Sequence, residues 1–175
     1  MACGRDHDRG TLLASVPFAI LLLPLVGLGS ALIGAAAFCL GGLWLSPDLD
    51  TLSRPLRRWG PLQLIWWPYR CLIPHRSLLS HGPFIGMGLR LAWLLTCALL
   101  TWLLISPLSA VIPGLILPDP GQILRGIIRT LERHPESALA GLLGLEASVW
   151  LHLILDGDPL PAEWSRRRRR RRRRQ

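Results

Sequence analysis

Histidine and aspartate side chains lie beside the ends of four apolar stretches instead of being spread evenly along the chain. Imidazole and carboxylate groups are ligands that zinc, manganese and iron accept in proteins. Such residues need not be close in sequence, because a helical bundle brings the ends of its helices together. A divalent metal centre is therefore a hypothesis for this chain. The residues concerned are His7, Asp48, Asp50, His75, His81, His152 and Asp156.

Two pairs among these residues have an informative spacing. His152 and Asp156 are four residues apart, which places both on one face of a helix. Asp48 and Asp50 follow Pro47, and in an extended turn both side chains would point the same way. The alternatives are a helix-end carboxylate with a capping histidine, and a turn with its own local hydrogen bonds.

The stretch HRSLLSH, residues 75–81, contains two of the five histidines together with Arg76 and Ser77. Interfacial polar residues are the alternative to metal ligands here. Beside a metal, Arg76 and Ser77 would be placed to hold an anion, because arginine forms paired hydrogen bonds to phosphate and carboxylate oxygens. We expect Asp50 and Arg76 to be the catalytic residues, with Asp50 orienting an attacking water.

The composition indicates a membrane protein. Half of the residues are apolar, the mean hydropathy is +0.36 and 18% are charged, against about 25% in soluble domains. The apolar stretches are 12–28, 31–45, 84–105 and 138–155, and a spanning helix needs about 20 residues. The second reaches that length only with its flanking serines. We expect an all-α, multi-pass membrane bundle of about four spans; a hairpin half-buried in the bilayer or in a soluble core is the alternative.

Arginine counts predict the orientation. Two arginines precede the first apolar stretch, five lie in the loop 46–83 and nine form the run Arg166–Arg174. The loop 118–136 has three, balanced by three acids. Cytoplasmic segments carry the excess of positive charge, so both termini and the loop 46–83 are expected in the cytoplasm. The membrane is expected to be the plasma or inner membrane of a bacterium, with a thylakoid as the alternative.

In this topology all seven candidate ligands fall at the cytoplasmic end of the bundle. They suffice for one or two ions of zinc, manganese or iron, and two ions would clamp a phosphoryl-type substrate. Asp8 and Asp158 are expected to orient the histidines. Arg90 and Glu146 lie at similar depths within the third and fourth spans, and we expect them to pair with one another; two independent, locally solvated charges are the alternative.

Two further segments have recognisable patterns. The isoleucines and leucines of 120–134 form one stripe and the arginines another, which predicts an amphipathic helix lying on the membrane surface. Residues 1–158 are expected to be a single membrane domain and 159–175 a disordered arginine-rich tail. The tail would bind anionic lipid headgroups, each arginine contributing about 1 kcal/mol, and nucleic acid would bind non-specifically. A low-complexity arm with no dedicated role is the alternative.

The order of the motifs HDR, PDLD, RRWG, WWPYR, HRSLLSHG and HLILD resembles a cyanobacterial membrane family described as metal-binding proteins. More distantly, the chain is similar to bacterial inner-membrane metal-dependent hydrolases, which share an N-terminal histidine, a PDxD-like motif, a paired-histidine motif and a late HxxxD. These resemblances imply metal binding at the same seven positions. The arginine run lies outside that pattern.

A metal-dependent hydrolase acting on phosphoester or lipid-like substrates is therefore the first functional expectation. A membrane protein that binds or handles metal without hydrolysis is the second. A structural or interaction protein whose histidines and aspartates form only a polar network is the third.

Overall fold

The structure, a computed structural model, describes residues 4–112 and 114–157, and within these ranges every regular element is helical. The predicted all-α class is thus confirmed, while the tail 159–175 lies outside the described residues. The α-helices are α1 (Gly4–Leu43), α2 (Arg54–Arg58), α3 (Trp67–Leu72), α4 (Leu78–His81), α5 (Ile85–Ile105), α6 (Leu108–Val111), α7 (Pro120–Arg133) and α8 (Pro135–Leu155). Two 3₁₀ helices, Pro47–Asp50 and Gly60–Trp66, lie between α1 and α3.

Helix α1 folds back on itself at Gly27, whose φ of 73° lies in the left-handed region that glycine adopts without strain. The rings of Phe18 and Phe38 lie 5.1 Å apart. A straight helix would separate them by about 30 Å, at a rise of 1.5 Å a residue. The two arms, 4–26 and 28–43, therefore run antiparallel and correspond to the first two apolar stretches of the sequence.

Small residues allow α1 and α8 to approach closely. A Cβ atom added to Gly144 of α8 would clash with the carbonyl oxygen of Gly34, and one added to Gly41 would clash with the Ser148 hydroxyl. Ala140 and Ser148, each four residues from Gly144, are buried in the same contact. A row of small residues at this spacing is how membrane helices bring their backbones together. The contact brings the start of α1 beside the end of α8.

The loop 46–83 is a compact cap with its own core. Leu49, Leu56, Trp66 and Tyr69 are buried together, and the Trp93 indole of α5 donates to the Ile65 carbonyl at 2.9 Å. Tryptophan and tyrosine residues beside an apolar stretch are typical of a membrane–water interface. Trp66 and Tyr69 instead lie inside the cap, where their rings meet edge to face with 5.4 Å between centroids and bury a large apolar surface.

Within the described residues, three helical segments are long and apolar enough to cross a membrane: Gly4–Asp50, Ile85–Val111 and Pro135–Leu155. The first of them contains both arms of α1. The bundle of four crossings stays a prediction.

Helix α7 is the predicted amphipathic helix. Asp119 caps it by accepting a hydrogen bond from the Gly121 amide at 2.9 Å, and Pro135 starts α8 directly after it. Its apolar stripe is exposed throughout, as a bilayer-facing stripe would be; the location on a membrane surface stays a prediction.

We predict that Gly144→Ala lowers stability because its Cβ would meet backbone atoms that cannot rotate away. The expected cost is about 1–3 kcal/mol, or a melting temperature lower by roughly 2–10 °C for a chain of this size. Thermal unfolding in detergent measures it. Gly88→Ala in α5 is the matched control, since nothing lies within 4 Å of its added Cβ. Equal melting temperatures for the two variants would contradict the close contact of α1 with α8.

Candidate metal centre

The fold brings all seven predicted ligands into one cluster at the capped end of the bundle. The cluster consists of three overlapping groups, and within each group the potential ligand atoms lie within 4.8 Å of one another. The groups are His7, His152 and Asp156; Asp48, His81 and His152; and Asp50, His75 and His81. His152 is thus shared by the first two groups, and His81 by the last two.

The 3₁₀ helix Pro47–Asp50 presents its two carboxylates to different ring nitrogens of His81, Asp48 to Nε2 and Asp50 to Nδ1. Leu49 is buried in the core of the cap and anchors the segment. Successive residues of a 3₁₀ helix are about 120° apart, so Asp48 and Asp50 do not point the same way. The expected extended turn is therefore wrong. The Asp50 carboxylate meets the His75 ring nitrogen Nδ1 at 2.9 Å, whereas Asp48 faces His81 and His152.

His81 and His152 are the buried histidines at the centre of the cluster, with 3% and 4% of their surfaces exposed. The Nδ1 atom of His81 lies 2.9 Å from the Ser80 hydroxyl, and that of His152 lies 3.4 Å from the Ser46 hydroxyl. The Nε2 atoms of both rings are buried without a hydrogen-bond partner. They lie 3.8 Å and 3.6 Å from Oδ1 of Asp48.

These atoms fit a divalent cation. A buried polar atom without a hydrogen bond costs about 1–3 kcal/mol, and two such nitrogens here face one carboxylate oxygen. Ligand atoms about 2.0–2.2 Å from a tetrahedral zinc ion lie roughly 3.3–3.6 Å from one another. The distances from Oδ1 of Asp48 to Nε2 of His81 and to Nε2 of His152, 3.8 Å and 3.6 Å, are close to that value. Imidazole and carboxylate donors would accept zinc, manganese or iron.

The first arm of α1 and the end of α8 form one side of the cluster. The His7 ring stacks on that of His152, with 4.3 Å between centroids, and its Nε2 lies 3.2 Å from Oδ1 of Asp156. The other oxygen of Asp156 accepts a hydrogen bond from Arg76 at 3.2 Å. Arg76 therefore balances the charge of a candidate ligand, in addition to whatever it does for a substrate.

Arg76 also has an unusual backbone, with φ at 59°. This left-handed conformation costs a non-glycine residue about 1–2 kcal/mol. It turns the chain so that His75 meets Asp50 while Arg76 meets Asp156, on different sides of the cluster. Strain of this kind is typical of functional sites.

Arg90 and Glu146 have partners other than one another, so the predicted pair is not formed. Arg90 is fully buried and donates to the Ser80 carbonyl at 3.0 Å. Glu146 accepts from the Phe84 amide at 2.9 Å. The first amides of a helix have no hydrogen-bond partner within that helix. The Phe84 amide at the start of α5 therefore binds the Glu146 carboxylate. The Arg90 guanidinium is left as a positive charge on the inner side of the cluster.

Tyr69 lies on the same inner side. Burial raises the pKa of its phenol above the ordinary value; the charge of Arg90 opposes this shift and that of Asp50 adds to it. The phenol is therefore neutral at physiological pH, and its oxygen is buried without a hydrogen-bond partner.

Asp8 does not orient a histidine as expected. Its Oδ2 atom accepts from Arg54 at 2.9 Å and from Arg58 at 2.6 Å, so it fastens α2 to the first arm of α1. Arg58 also donates to the Leu43 carbonyl at 2.8 Å. Two guanidinium groups outcompete a neutral imidazole for a carboxylate because their charge is permanent. Asp158 lies outside the described residues.

A pocket of about 260 Å³ leads to the cluster from the cap side. His7 and Asp48 form part of its lining, and Arg54 and Arg57 line it as well. Arg54 is held by Asp8, whereas the exposed Arg57 has no ion-pair partner among the described residues. The sequence arguments missed this arginine, and they missed Ser46 and Ser80. Only the closeness of each serine to a candidate ligand in the sequence could have pointed to them.

The chain belongs to the family described as "Uncharacterized metal-binding protein (DUF2227)", which it matches over residues 2–168. A protein of Aquifex aeolicus (strain VF5), described as an uncharacterized protein, is 40% identical over 58 residues, which are 33% of this chain and 40% of that protein. No solved structure matches. Metal binding, the first part of the expected resemblance, is thus confirmed at the level of the family. The cyanobacterial and hydrolase resemblances stay expectations.

Proposed function

We propose that this protein is an integral membrane hydrolase that uses a divalent metal ion held by the His/Asp cluster at the cytoplasmic end of its helices. The observation that carries the metal site is the pair of buried Nε2 atoms, on His81 and His152, that face Asp48 without a hydrogen-bond partner. Membership of a metal-binding family supports the same site.

The apolar surface supports insertion in a membrane. Leucines and isoleucines are exposed along both arms of α1, along α5 and along α8. Apolar surface of this extent is unfavourable in contact with water and favourable in contact with the lipid chains of a bilayer. With the antiparallel arms of α1 counted separately, the chain would cross four times. The arginines of the cap, and those of the tail outside the described residues, then favour the cytoplasm for the cluster. The tail would bind anionic headgroups there.

Cysteine labelling tests this orientation. Cys71 is exposed in the cap, so in a variant that keeps it as the sole cysteine an impermeant maleimide should label inverted membrane vesicles and not intact cells. Gln122→Cys in α7, again as the sole cysteine, should show the opposite pattern. Labelling of both positions from the same side would contradict the four crossings.

Hydrolysis is supported by the chemistry around the cluster. A divalent ion would supply Lewis-acid activation of water and of the bond to be cleaved. Asp50 and His75, joined at 2.9 Å, form a carboxylate–imidazole pair able to accept a proton and orient a water. Arg57 in the pocket, with Arg76 beside Asp156, would attract a negatively charged group. A phosphoester, including one on a lipid, is the substrate class that fits these charges and this location.

Metal content is the primary test. We expect the purified protein, prepared in detergent without a histidine tag, to contain stoichiometric zinc, manganese or iron by elemental mass spectrometry. His81→Ala combined with Asp156→Ala should abolish it, because the two changes together remove a ring nitrogen that would bind the ion and a carboxylate of the same cluster. His134→Ala, at the exposed junction of α7 and α8, is the matched control and should keep the metal.

The outcomes separate the three functional expectations. Metal with turnover of a phosphoester would support the hydrolase. Metal without any turnover in a broad phosphoesterase and lipid-hydrolase screen would favour metal handling. A folded protein that takes up no metal even on reloading would leave a structural role and defeat the proposal.

Arg57 provides a separate test of the substrate class. Arg57→Ala should weaken binding of inorganic phosphate to the metal-loaded protein about fivefold, which corresponds to roughly 1 kcal/mol, because the pocket loses its unpaired cation. Isothermal titration calorimetry measures the change. Arg129→Ala, an exposed arginine of α7 remote in sequence from the pocket, is the control. Identical phosphate affinities for Arg57→Ala and wild type would remove this arginine from substrate binding.

A further inference from the structure

We propose that the cluster holds one tightly bound ion, at its centre, between Oδ1 of Asp48, Nε2 of His81 and Nε2 of His152, and that Ser80 and Ser46 select this position. This inference rests on the proposed metal site and concerns the number of ions, which the residue types alone leave open. Seven candidate ligands are numerous enough to bind two ions, but they are not arranged to do so.

The three groups of the cluster compete for two histidines. The unprotonated ring nitrogen of a histidine has one lone pair in the ring plane and binds one ion. Nε2 of His152 lies 3.6 Å from Oδ1 of Asp48 and 3.7 Å from Oδ2 of Asp156. It can therefore complete the central group or the group with His7, but not both.

Ser80 decides how His81 is used. The Ser80 hydroxyl has a single proton, and the carbonyl oxygen of Pro74, which only accepts, lies 3.2 Å from it. With that proton given to Pro74, the Ser80 oxygen accepts at 2.9 Å from Nδ1–H of His81. The lone pair of His81 is then on Nε2, which faces Asp48. Nδ1, although 3.6 Å from Oδ2 of Asp50, is withdrawn from the group that contains His75.

Ser46 gives His152 the same arrangement when its hydroxyl proton is turned away from the ring. Its oxygen accepts from the Asp48 amide at 3.4 Å and lies at the same distance from Nδ1 of His152. A hydroxyl oxygen can accept twice, so it holds both the ligand histidine and the backbone of the ligand aspartate. The other ring nitrogen of His152 is left facing Asp48. Partners of this kind fix the tautomer of metal-binding histidines.

The two outer pairs are poor sites for a second ion. Without the shared histidines, each retains one imidazole and one carboxylate already joined to each other, His7 with Asp156 and Asp50 with His75. At Asp156 the guanidinium of Arg76 already balances the carboxylate, and a second cation would be repelled. The outer pairs are therefore free to accept or donate protons beside the central ion.

Metal stoichiometry of single variants tests the position. We expect one ion per chain in the wild type by elemental mass spectrometry, about one in His7→Ala and in His75→Ala, and none in His81→Ala or His152→Ala. The visible absorption of the cobalt-loaded protein should persist in the first two variants and vanish in the last two. Two ions in the wild type, with one lost in His7→Ala or His75→Ala, would overturn the inference while leaving the metal-binding function intact. No ion in a folded wild type would instead defeat the proposed function.

The serines are tested by affinity. Ser80→Ala and Ser46→Ala should each weaken cobalt binding, measured against a competing chelator, about 10- to 100-fold. Ser137→Ala, which loses a 2.9 Å hydrogen bond to Ser30 far along α8 from the cluster, should bind as the wild type does. The melting temperature of each metal-free variant shows whether it is folded, so that a variant that binds cobalt weakly because it is unfolded is excluded. Wild-type affinity in both well-folded serine variants would refute the selection by tautomer.

Discussion

The close contact of α1 with α8 is the constraint on which the rest of the structure depends. Gly34, Gly41 and Gly144 leave no room for a side chain between the two backbones, so the register of one helix against the other is set by shape. That register places His7 over His152 with their rings stacked. A displacement of one helical turn, about 5.4 Å, would separate the rings and break the cluster.

Charge balance is the second determinant of the cluster. Three aspartates in one largely buried cluster would repel one another. Arg76 neutralises Asp156 on one side, and Arg90 contributes a buried charge on the inner side. Among the described residues, the ion-pair partners of the central carboxylate, Asp48, are the imidazoles of His81 and His152. The place with the least permanent positive charge is thus also the place where the unpaired ring nitrogens converge.

The sequence predicted which residues would meet but not how they would pair. The order of the apolar stretches and the arginine counts suffice to predict that seven residues meet at one end of a bundle. The end at which a residue lies depends only on the direction in which its helix runs. Partner choice depends on ångström-scale geometry that no spacing encodes. Asp8 binds two arginines of α2, and Glu146 accepts a hydrogen bond from the amide at the start of α5. PDLD formed a 3₁₀ turn because Leu49 was drawn into an aromatic core assembled from residues much later in the chain.

The cluster joins the first and the last described helices of the chain, and this order has a consequence for biogenesis. His7 leaves the ribosome early, while His152 and Asp156 follow only after every other helix. A nascent chain thus carries the two aspartates of the cap and their histidines without the residues that enclose them. The complete set of donors exists only once synthesis has passed α8, so a chain released early would retain an open and incomplete cluster. Acquisition of a cation could in this way report that the whole bundle has been assembled.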